Sequence, residues 1–273
     1  MLASIPSPGS SSITIGPFSL TAYGLFIALG VIVAVEWARR RWMARDGDGD
    51  DISAIALWAI PAGLIGARLY HVATDWERFQ GQWFDVVKIW EGGLGIPGGV
   101  AAGVVTGVLV ARHRGLPLAP LFDVVAPAIP AAQAIGRLGN WFNQELFGEP
   151  SDLPWALEID PEHRPPGFET DETFHPTFLY EALWNVLLVL VLLRLERWGR
   201  LKDGRLFAIY VCGYGLGRLW IELLRIDPAS QLANVRVNVW MSLGLMVGSA
   251  LFLAIGGVLK PADEDVAERE AAS

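Results

Sequence analysis

Arginines lie beside amides and carboxylates in two segments of this chain that are otherwise largely apolar. The first segment, GRLGNWFNQELFG (residues 136–148), holds Arg137 between two glycines. The planar fork of an arginine donates two parallel hydrogen bonds, which suits it to a phosphate group. We expect a glycine-flanked turn whose backbone N–H groups also reach an anion. The segment therefore predicts an anion-binding position.

The second segment, RLWIELLR (residues 218–225), contains Arg218, Glu222 and Arg225. In a helix these residues fall within about 60° of one face, and Arg218 lies roughly 10 Å deeper than Arg225. Glu222 can pair with either arginine through its i,i+4 or i,i+3 spacing. Two arginines against one glutamate leave one positive charge uncompensated, which favours a bound anion. A purely structural ladder of ion pairs is the alternative.

Other groups that could do chemistry lie at the ends of further apolar segments. Tyr23 is near the start of the first segment, Arg68 is within the second, and His175 precedes the fifth. Arg68 could also simply extend its charge toward the membrane surface. The only cysteine, Cys212, has no histidine or aspartate neighbour in sequence, so we expect no catalytic thiol. No spacing predicts a metal site, and we expect no cofactor.

The elements that must position these groups are long apolar segments. Of the 273 residues, 52% are hydrophobic and only 18% are charged. A helix of about 20 apolar residues crosses the hydrocarbon core of a membrane. Seven such segments occur, at approximately 19–38, 52–73, 94–111, 118–136, 177–193, 206–224 and 239–259. We predict an all-α, polytopic membrane protein with seven transmembrane helices, which argues against a soluble enzyme and a nucleic-acid-binding domain.

The basic residues predict how these helices are oriented. The loops after the first, third and fifth segments carry about half of the 21 lysines and arginines, so we place them in the cytoplasm. The N-terminus is then extracytoplasmic and the C-terminus cytoplasmic. Tyr23, Arg68, Arg137, His175 and Arg218 all fall in the outer leaflet. Charged groups at this depth usually face a wet cavity, and a phosphate held there belongs most naturally to a phospholipid headgroup.

One of these segments resembles a known signature. GRLGNWFNQELFG is similar to the GR-x-GNF-x-N-x-E-x-x-G pattern of the prolipoprotein diacylglyceryl transferases, with Trp141 in place of the usual phenylalanine. The resemblance covers roughly residues 13–258. Its other matching segments are TAYGL at Tyr23, GARLYH at Arg68, GGLGIPGG at residues 92–99, FHPTFLYE at His175 and RLWIELLRIDP at Arg218.

The resemblance implies the reaction and its partners. Members of the family transfer the diacylglyceryl group of phosphatidylglycerol to the lipobox cysteine sulfur in the signal peptide of a preprolipoprotein. A thioether forms and glycerol phosphate leaves, at the outer leaflet of the bacterial plasma membrane. Three alternatives are an anion or lipid transporter, an intramembrane protease and a non-catalytic lipid-binding protein. The one-sided distribution of polar groups opposes a transporter, and Ser242 and Ser249 lie in no GxSxG-like context.

The resemblance also implies roles for individual residues. Arg137 would bind the headgroup and Arg218 would stabilise the phosphate in the transition state. Tyr23 would donate a hydrogen bond in the pocket, and Asn140 would bind the headgroup. The remaining substrate-binding positions are Asn143, Arg68, Gly98, Gly99, Glu222 and Arg225.

The general base is the point at which this chain departs from the family pattern. Pro97 stands where the family is often described with a histidine, and proline cannot take a proton. His175 or Glu145 could serve instead, or nearby arginines could lower the thiol pKa enough that no base is needed. His175 could alternatively have a hydrogen-bonding role at the start of the fifth helix, and Glu145 could orient an arginine.

The domain organisation follows from the same segments. We expect one transmembrane domain over residues 1–260. Residues 137–176 would form a small extracytoplasmic cap, with a short strand near residues 155–159, that contacts the peptide substrate. Residues 261–273 are acidic and are expected to form a disordered cytoplasmic tail.

Overall fold

The computed structural model describes residues 4–15, 18–89, 92–227 and 229–259, and the expected tail at residues 261–273 lies outside them. The described part is mostly helical and contains seven helices long and apolar enough to cross a membrane, which confirms the predicted fold class. Eight helices form these seven spans, because α4 and α5 together make up the fourth span, Leu118–Asn143. The helices are α1 (Ala22–Met43), α2 (Gly49–Thr74), α3 (Ile96–His113), α4 (Leu118–Val125), α5 (Ala128–Asn143), α6 (Thr177–Trp198), α7 (Arg205–Leu224) and α8 (Val237–Gly256).

Three short antiparallel strand pairs accompany the helices. They are β1 (Ser12–Ile15) with β2 (Phe18–Thr21), β3 (Leu157–Glu158) with β4 (Thr173–Phe174), and β5 (Gln231–Leu232) with β6 (Val235–Arg236). The strand expected near residues 155–159 is β3. In register, Leu157 faces Phe174 and Glu158 faces Thr173.

The fourth predicted span is broken into α4 and α5. Pro127 is the residue that precedes α5, and proline lacks the N–H group that would continue a helical ladder. The side chain of Asp123, on α4, accepts hydrogen bonds from the backbone N–H groups of Gly204 and Phe207 at 2.7 and 2.9 Å. The break therefore coincides with a carboxylate that caps the start of α7.

Helix α5 continues to Asn143, so residues 137–143, which we expected to lie in the cap, are helical. The expected turn around Arg137 is wrong for the same reason. A Cβ atom on Gly139 would lie 2.8 Å from Tyr23 Cα, and one on Gly136 would lie 3.1 Å from Ile27 Cδ1. These glycines therefore permit α1 and α5 to approach closely, as small residues do between membrane helices.

The chain divides into two compact units, Met1–Ala34 with Phe122–Ser273, and Val35–Leu121. In the second unit, α2 packs on α3 through small residues. A Cβ atom on Gly66 would lie 2.6 Å from the carbonyl oxygen of Gly98, and one on Gly63 would lie 3.2 Å from that of Gly99. Helix contact at this distance requires glycine at these positions.

In the first unit, the connection between α5 and α6 is an ordered cap segment, residues 144–176. Its core consists of buried apolar side chains that include the first turn of α6, namely Phe147, Leu157, Ile159, Phe174 and Phe178. The long loop therefore buries its own apolar surface, which explains how a connection of this length holds one conformation.

Many large apolar side chains are exposed and several charged ones are buried, which is the opposite of the pattern in a water-soluble protein. Leu57, Ile65 and Leu190 are 59–69% exposed, whereas Glu181 and Glu222 are at most 4% exposed. Extensive exposed apolar surface on long helices is unfavourable in water and favourable in lipid. The protein is therefore a multi-pass membrane protein.

Candidate functional site

Glu181 brings together the two arginines that the sequence singled out. Arg137 on α5 places Nη2 at 2.6 Å from Glu181 Oε1, and Arg218 on α7 places Nη1 at 3.2 Å from Glu181 Oε2. Glu181 stands in the second turn of α6, and its side chain is only 6% exposed. Three neighbouring helices thus each contribute one charged group to a single buried cluster.

Glu222 extends this cluster along α7. Its Oε2 atom lies 2.8 Å from Arg218 Nη2, as the i,i+4 spacing predicted. Its Oε1 atom accepts hydrogen bonds from Arg236 Nε at 2.6 Å and from Asn238 Nδ2 at 3.1 Å. The glutamate is therefore shared between two arginines on different elements.

Of the two arginines that could pair with Glu222 by spacing, Arg218 does so and Arg225 does not. Helix α7 ends at Leu224, and Arg225 has extended backbone angles, so its side chain leaves the helix face. It instead forms two hydrogen bonds to the Asp227 carboxylate, at 2.6 and 2.8 Å. Burial by itself would raise the pKa of Asp227, but the hydrogen bonds from Arg225 and Arg236 and their charges outweigh burial and hold this pKa below its usual value.

These contacts form one continuous series, which we call the ion-pair chain. Its members in order are Arg137, Glu181, Arg218, Glu222, Arg236, Asp227 and Arg225. Four guanidinium groups alternate with three carboxylates, so the ion-pair chain carries one net positive charge when every member is ionised. The sequence predicted such an excess, but from different partners.

Arg137 and Arg218 have donor capacity beyond these contacts. Glu181 Oε1 and Glu222 Oε2 face their arginines at ion-pair distance without hydrogen-bond alignment. Among the described residues, Arg137 donates one aligned bond, to Asn140 Oδ1 at 3.3 Å, and Arg218 donates one, to Glu181. An arginine has five N–H donors, so both side chains can bind a further anion.

The signature residues form a relay from Arg137 to a second carboxylate. Asn140 accepts from Arg137 and donates to Glu145 Oε1 at 2.8 Å, and Asn143 donates to the same oxygen at 2.9 Å. Asn140 is 1% exposed. Since both amides bind Oε1, the hydrogen bonds described for Glu145 leave Oε2 open to a proton or a substrate.

A strained turn holds Glu145 in this position. Gln144 and Leu146, on either side of it, have φ angles of 50° and 59°, which are uncommon for residues other than glycine. The Gln144 side chain donates to Asp160 Oδ2 at 2.6 Å and accepts from the backbone N–H of Asp160 at 2.8 Å. Strain of this kind persists where surrounding contacts impose it, and it concentrates at functional sites.

Tyr23 reaches the same region from α1. Its backbone and ring lie against Gly139, and its hydroxyl group interacts electrostatically with Glu145 and Arg137. The tyrosine thus lies beside the signature residues, and its role as a hydrogen-bond donor stays a prediction.

His175 contacts a different set of groups. Its Nδ1 atom lies 3.1 Å from the Tyr180 hydroxyl, which also accepts a hydrogen bond from Trp155 Nε1. Its backbone pairs with Gly148 and Glu149. These contacts agree with the structural alternative considered for His175, at the entrance to α6.

A cavity of about 420 Å³ opens beside the strained turn. Its walls combine polar groups with apolar ones, and they are Asn143, Gln144, Glu145, Leu146, Phe147, His163, Pro165, Ile226 and Asp227. The cavity therefore lies between the cap segment and the segment that follows α7, with Glu145 in its wall.

Arg68, Gly98 and Gly99 belong to the second unit. Arg68 is buried and donates to the backbone carbonyls of Val86, Gly92 and Gly93 at 2.6–3.0 Å, and also to that of Asp85. It thus anchors residues 85–86 and 92–93, which precede α3. The glycines pack against α2, so the contacts of all three residues are structural, and their role in substrate binding stays a prediction.

One group of described residues has the spacing of a metal site, although the sequence predicted none. Asp160, Glu162 and His163 can each present a ligand atom within 4.8 Å of the others. All three residues are exposed, and Asp160 is already bonded to Gln144. Exposed acidic groups of this kind are common on protein surfaces, and we assign no metal to them.

Three residues of the ion-pair chain were missed at the level of sequence. Glu181, Asp227 and Arg236 were not among the predicted site residues. A carboxylate within the first two turns of an apolar helix was the available signal for Glu181. Nothing local indicates Arg236, because its partners are set by the chain reversal at β5 and β6.

Comparisons with known proteins agree with the signature. A family model described as prolipoprotein diacylglyceryl transferase matches residues 10–255. A protein of Rhodococcus jostii named phosphatidylglycerol--prolipoprotein diacylglyceryl transferase is 47% identical over 304 residues, covering 99% of this chain and 85% of that protein.

Two further relatives carry the same name. The Streptomyces griseus protein is 46% identical over 271 residues, which cover 98% of this chain and 82% of the relative. The Frankia alni protein is 48% identical over 274 residues, which cover 99% of this chain and 71% of the relative.

Proposed function

This chain belongs to the prolipoprotein diacylglyceryl transferase family, and we propose that it transfers the diacylglyceryl group of phosphatidylglycerol to the lipobox cysteine of preprolipoproteins. The observation that carries this proposal is the convergence of Arg137 and Arg218 on Glu181 among apolar helices. A cluster with net positive charge among membrane-spanning helices suits the phosphate of a lipid better than a soluble anion.

The proposed reaction breaks one bond and forms one. The cysteine sulfur, as thiolate, attacks the glyceryl carbon that bears the phosphate. The carbon–oxygen bond to phosphate breaks, its electron pair stays on the leaving oxygen, and a thioether forms. Glycerol phosphate departs with more negative charge than the diester carried. Preorganised guanidinium groups therefore stabilise the transition state more strongly than they stabilise the bound lipid substrate.

In this proposal Arg137 and Arg218 have different roles. Arg137, bonded to Asn140, binds the headgroup, and Arg218, which lies between Glu181 and Glu222, stabilises the departing phosphate. Tyr23, which packs against Gly139, donates a hydrogen bond to the headgroup. The net positive charge of the ion-pair chain complements the charge that develops during transfer.

Glu145 is the proposed acceptor of the thiol proton. Its Oε1 atom accepts hydrogen bonds from two amides, the described hydrogen bonds leave Oε2 without a donor, and Glu145 is one of the residues that line the cavity. His175 pairs with the Tyr180 hydroxyl, and among the described residues no hydrogen bond or ion pair joins its side chain to the ion-pair chain, which favours Glu145 over it. Pro97 at the start of α3 supplies no alternative base.

The same proposal includes the orientation and the peptide site. The arginine-rich loops are cytoplasmic, the N-terminus is extracytoplasmic, and the site opens to the outer leaflet. The cavity beside Glu145 receives the lipobox segment, because its mixed apolar and polar walls suit a peptide and because the proposed proton acceptor is one of its lining residues.

A transfer assay in phosphatidylglycerol vesicles tests the proposal. Purified protein is mixed with a lipobox peptide and lipid labelled in its diacylglyceryl part. We expect label on the peptide with the wild type and with Arg194→Ala, an exposed residue late in α6, and loss of transfer with Arg137→Ala and Arg218→Ala. Lipid binding by the wild type without modification of the peptide would instead indicate a lipid-binding protein or transporter.

A further inference from the structure

Arg236 is the one arginine of the ion-pair chain that sequence reasoning did not connect with the site. We propose that it is a positioning residue, which takes up part of the charge of Glu222 and thereby keeps Arg218 able to bind phosphate. This inference rests on the proposed function, because it assigns Arg236 a role in the same phosphate site.

The first observation is how Glu222 divides its two oxygens. Arg236 and Asn238 bind Oε1, whereas Arg218 faces Oε2. The Glu222 side chain is 0% exposed, so no water-facing oxygen remains. A buried carboxylate is costly unless its charge is compensated, and here two guanidinium groups share that compensation.

The second observation is that Arg236 is held from several sides. Its Nη1 atom donates to the backbone carbonyls of Arg225 and Asp227, both at 3.0 Å, and its Nη2 atom lies 3.2 Å from Asp227 Oδ2. Arg236 ends β6 and immediately precedes α8. The chain reversal therefore delivers a fixed positive charge to Glu222, not a mobile one.

The consequence concerns Arg218, which lies between two carboxylates. Each carboxylate has a second arginine, Arg137 for Glu181 and Arg236 for Glu222. Without Arg236, Arg218 would be the only guanidinium group paired with Glu222, and only the neutral Asn238 amide would remain on Oε1. Glu222 would then hold Arg218 more strongly, and the attraction of Arg218 for a developing phosphate charge would fall.

Four variants test this role in the transfer assay: Arg236→Gln, Arg236→Lys, the double variant Arg236→Gln/Glu222→Gln, and Arg194→Gln as the matched exposed control. For each, kcat and KM for phosphatidylglycerol are measured with the unfolding temperature in detergent. The split between kcat and KM separates transition-state stabilisation from lipid binding.

We expect Arg236→Gln to lower kcat about tenfold with little change in KM, since the interaction affected develops in the transition state. Arg236→Lys should keep most of the activity, because lysine keeps the positive charge beside Glu222 although it lacks the planar guanidinium group. The double variant should be more active than Arg236→Gln, because the neutral side chain at position 222 no longer competes with phosphate for Arg218. A neighbouring pair that acts together gives this non-additivity.

Other outcomes overturn the proposal in distinguishable ways. Unchanged kcat in Arg236→Gln rejects the role outright. Equal losses in the lysine and glutamine variants, together with lowered unfolding temperatures, assign Arg236 to anchoring the chain reversal. A double variant no better than Arg236→Gln contradicts competition for Arg218. If the wild type modifies no peptide, the proposed function fails first, and the role of Arg236 fails with it.

Discussion

Asn185 lies one helical turn after Glu181 on α6, fully buried, and neither its amide nitrogen nor its amide oxygen has a hydrogen-bond partner among the described residues. Buried amides are almost always bonded, and an unpaired one costs about 1–3 kcal/mol. The turn below the ion-pair chain therefore contains a polar group that the surrounding helices do not satisfy.

Asn185→Leu should consequently stabilise the protein. The substitution replaces an unsatisfied amide by an apolar side chain of similar size, so we expect the free energy of unfolding to rise by about 1–2 kcal/mol. Thermal unfolding in detergent measures this change. A lower unfolding temperature would show that the amide is hydrogen-bonded in the membrane.

Lysine should be a poor substitute for the two arginines that contact Glu181. Arg137→Lys and Arg218→Lys keep the charge but lose the fork that spans Glu181 and a second acceptor. We expect each to lower kcat about 100-fold, the usual effect of removing one oxyanion donor. The labelled-lipid assay measures the rate, and wild-type rates in both variants would contradict a role for the fork.

Glu145→Gln and His175→Ala should differ in the transfer reaction. Removing a general base costs about 10²–10⁴-fold, so we expect such a loss in Glu145→Gln, which preserves the size of the side chain. His175→Ala should stay within a few-fold of the wild type, because His175 is bonded to Tyr180. The reverse ranking would make the histidine the base.

Asp227 should make stability depend on pH in acid. Its pKa is lowered in the folded protein, so its ion pairs contribute stability that is fully present above the ordinary value of 3.8 and is lost as the pH falls through the lower folded value. The unfolding temperatures of the wild type and Asp227→Asn should therefore differ most at neutral pH and converge in acid. A constant difference across this range would contradict the linkage.

Gly66→Ala should destabilise the second unit. A Cβ atom at this position would lie 2.6 Å from the carbonyl oxygen of Gly98, so α2 and α3 must separate, at a cost of about 1–3 kcal/mol. Gly244→Ala on α8 is the matched control, because a Cβ atom there has no neighbour within 4 Å. Equal unfolding temperatures for the two variants would show that the close contact is unimportant.

Sequence alone predicted the seven spans and the family, because both depend on local composition and a local signature. It also predicted that Arg137 and Arg218 matter. It could not predict that Glu181 joins them, since that contact depends on the rotation of three helices about their axes.

Two predictions of local structure were wrong because contacts with other parts of the chain decided the outcome. The glycines beside Arg137 were interpreted as a turn, but they serve helix packing against Tyr23 and Ile27. Arg225 was assigned to the α7 face, but α7 ends one residue earlier. Helix ends depend on tertiary contacts as much as on residue type.

The paired hydrogen bonds between Gln144 and Asp160 have a mechanical consequence. Gln144 is the direct neighbour of Glu145, and the next residue, Leu146, is tied through its carbonyl to Thr177. A displacement of the segment around Asp160 would therefore also displace Glu145, whose carboxylate accepts a hydrogen bond from Asn140. Under the proposed function, a peptide that binds in the cavity and shifts this segment would also change the position of the proton acceptor.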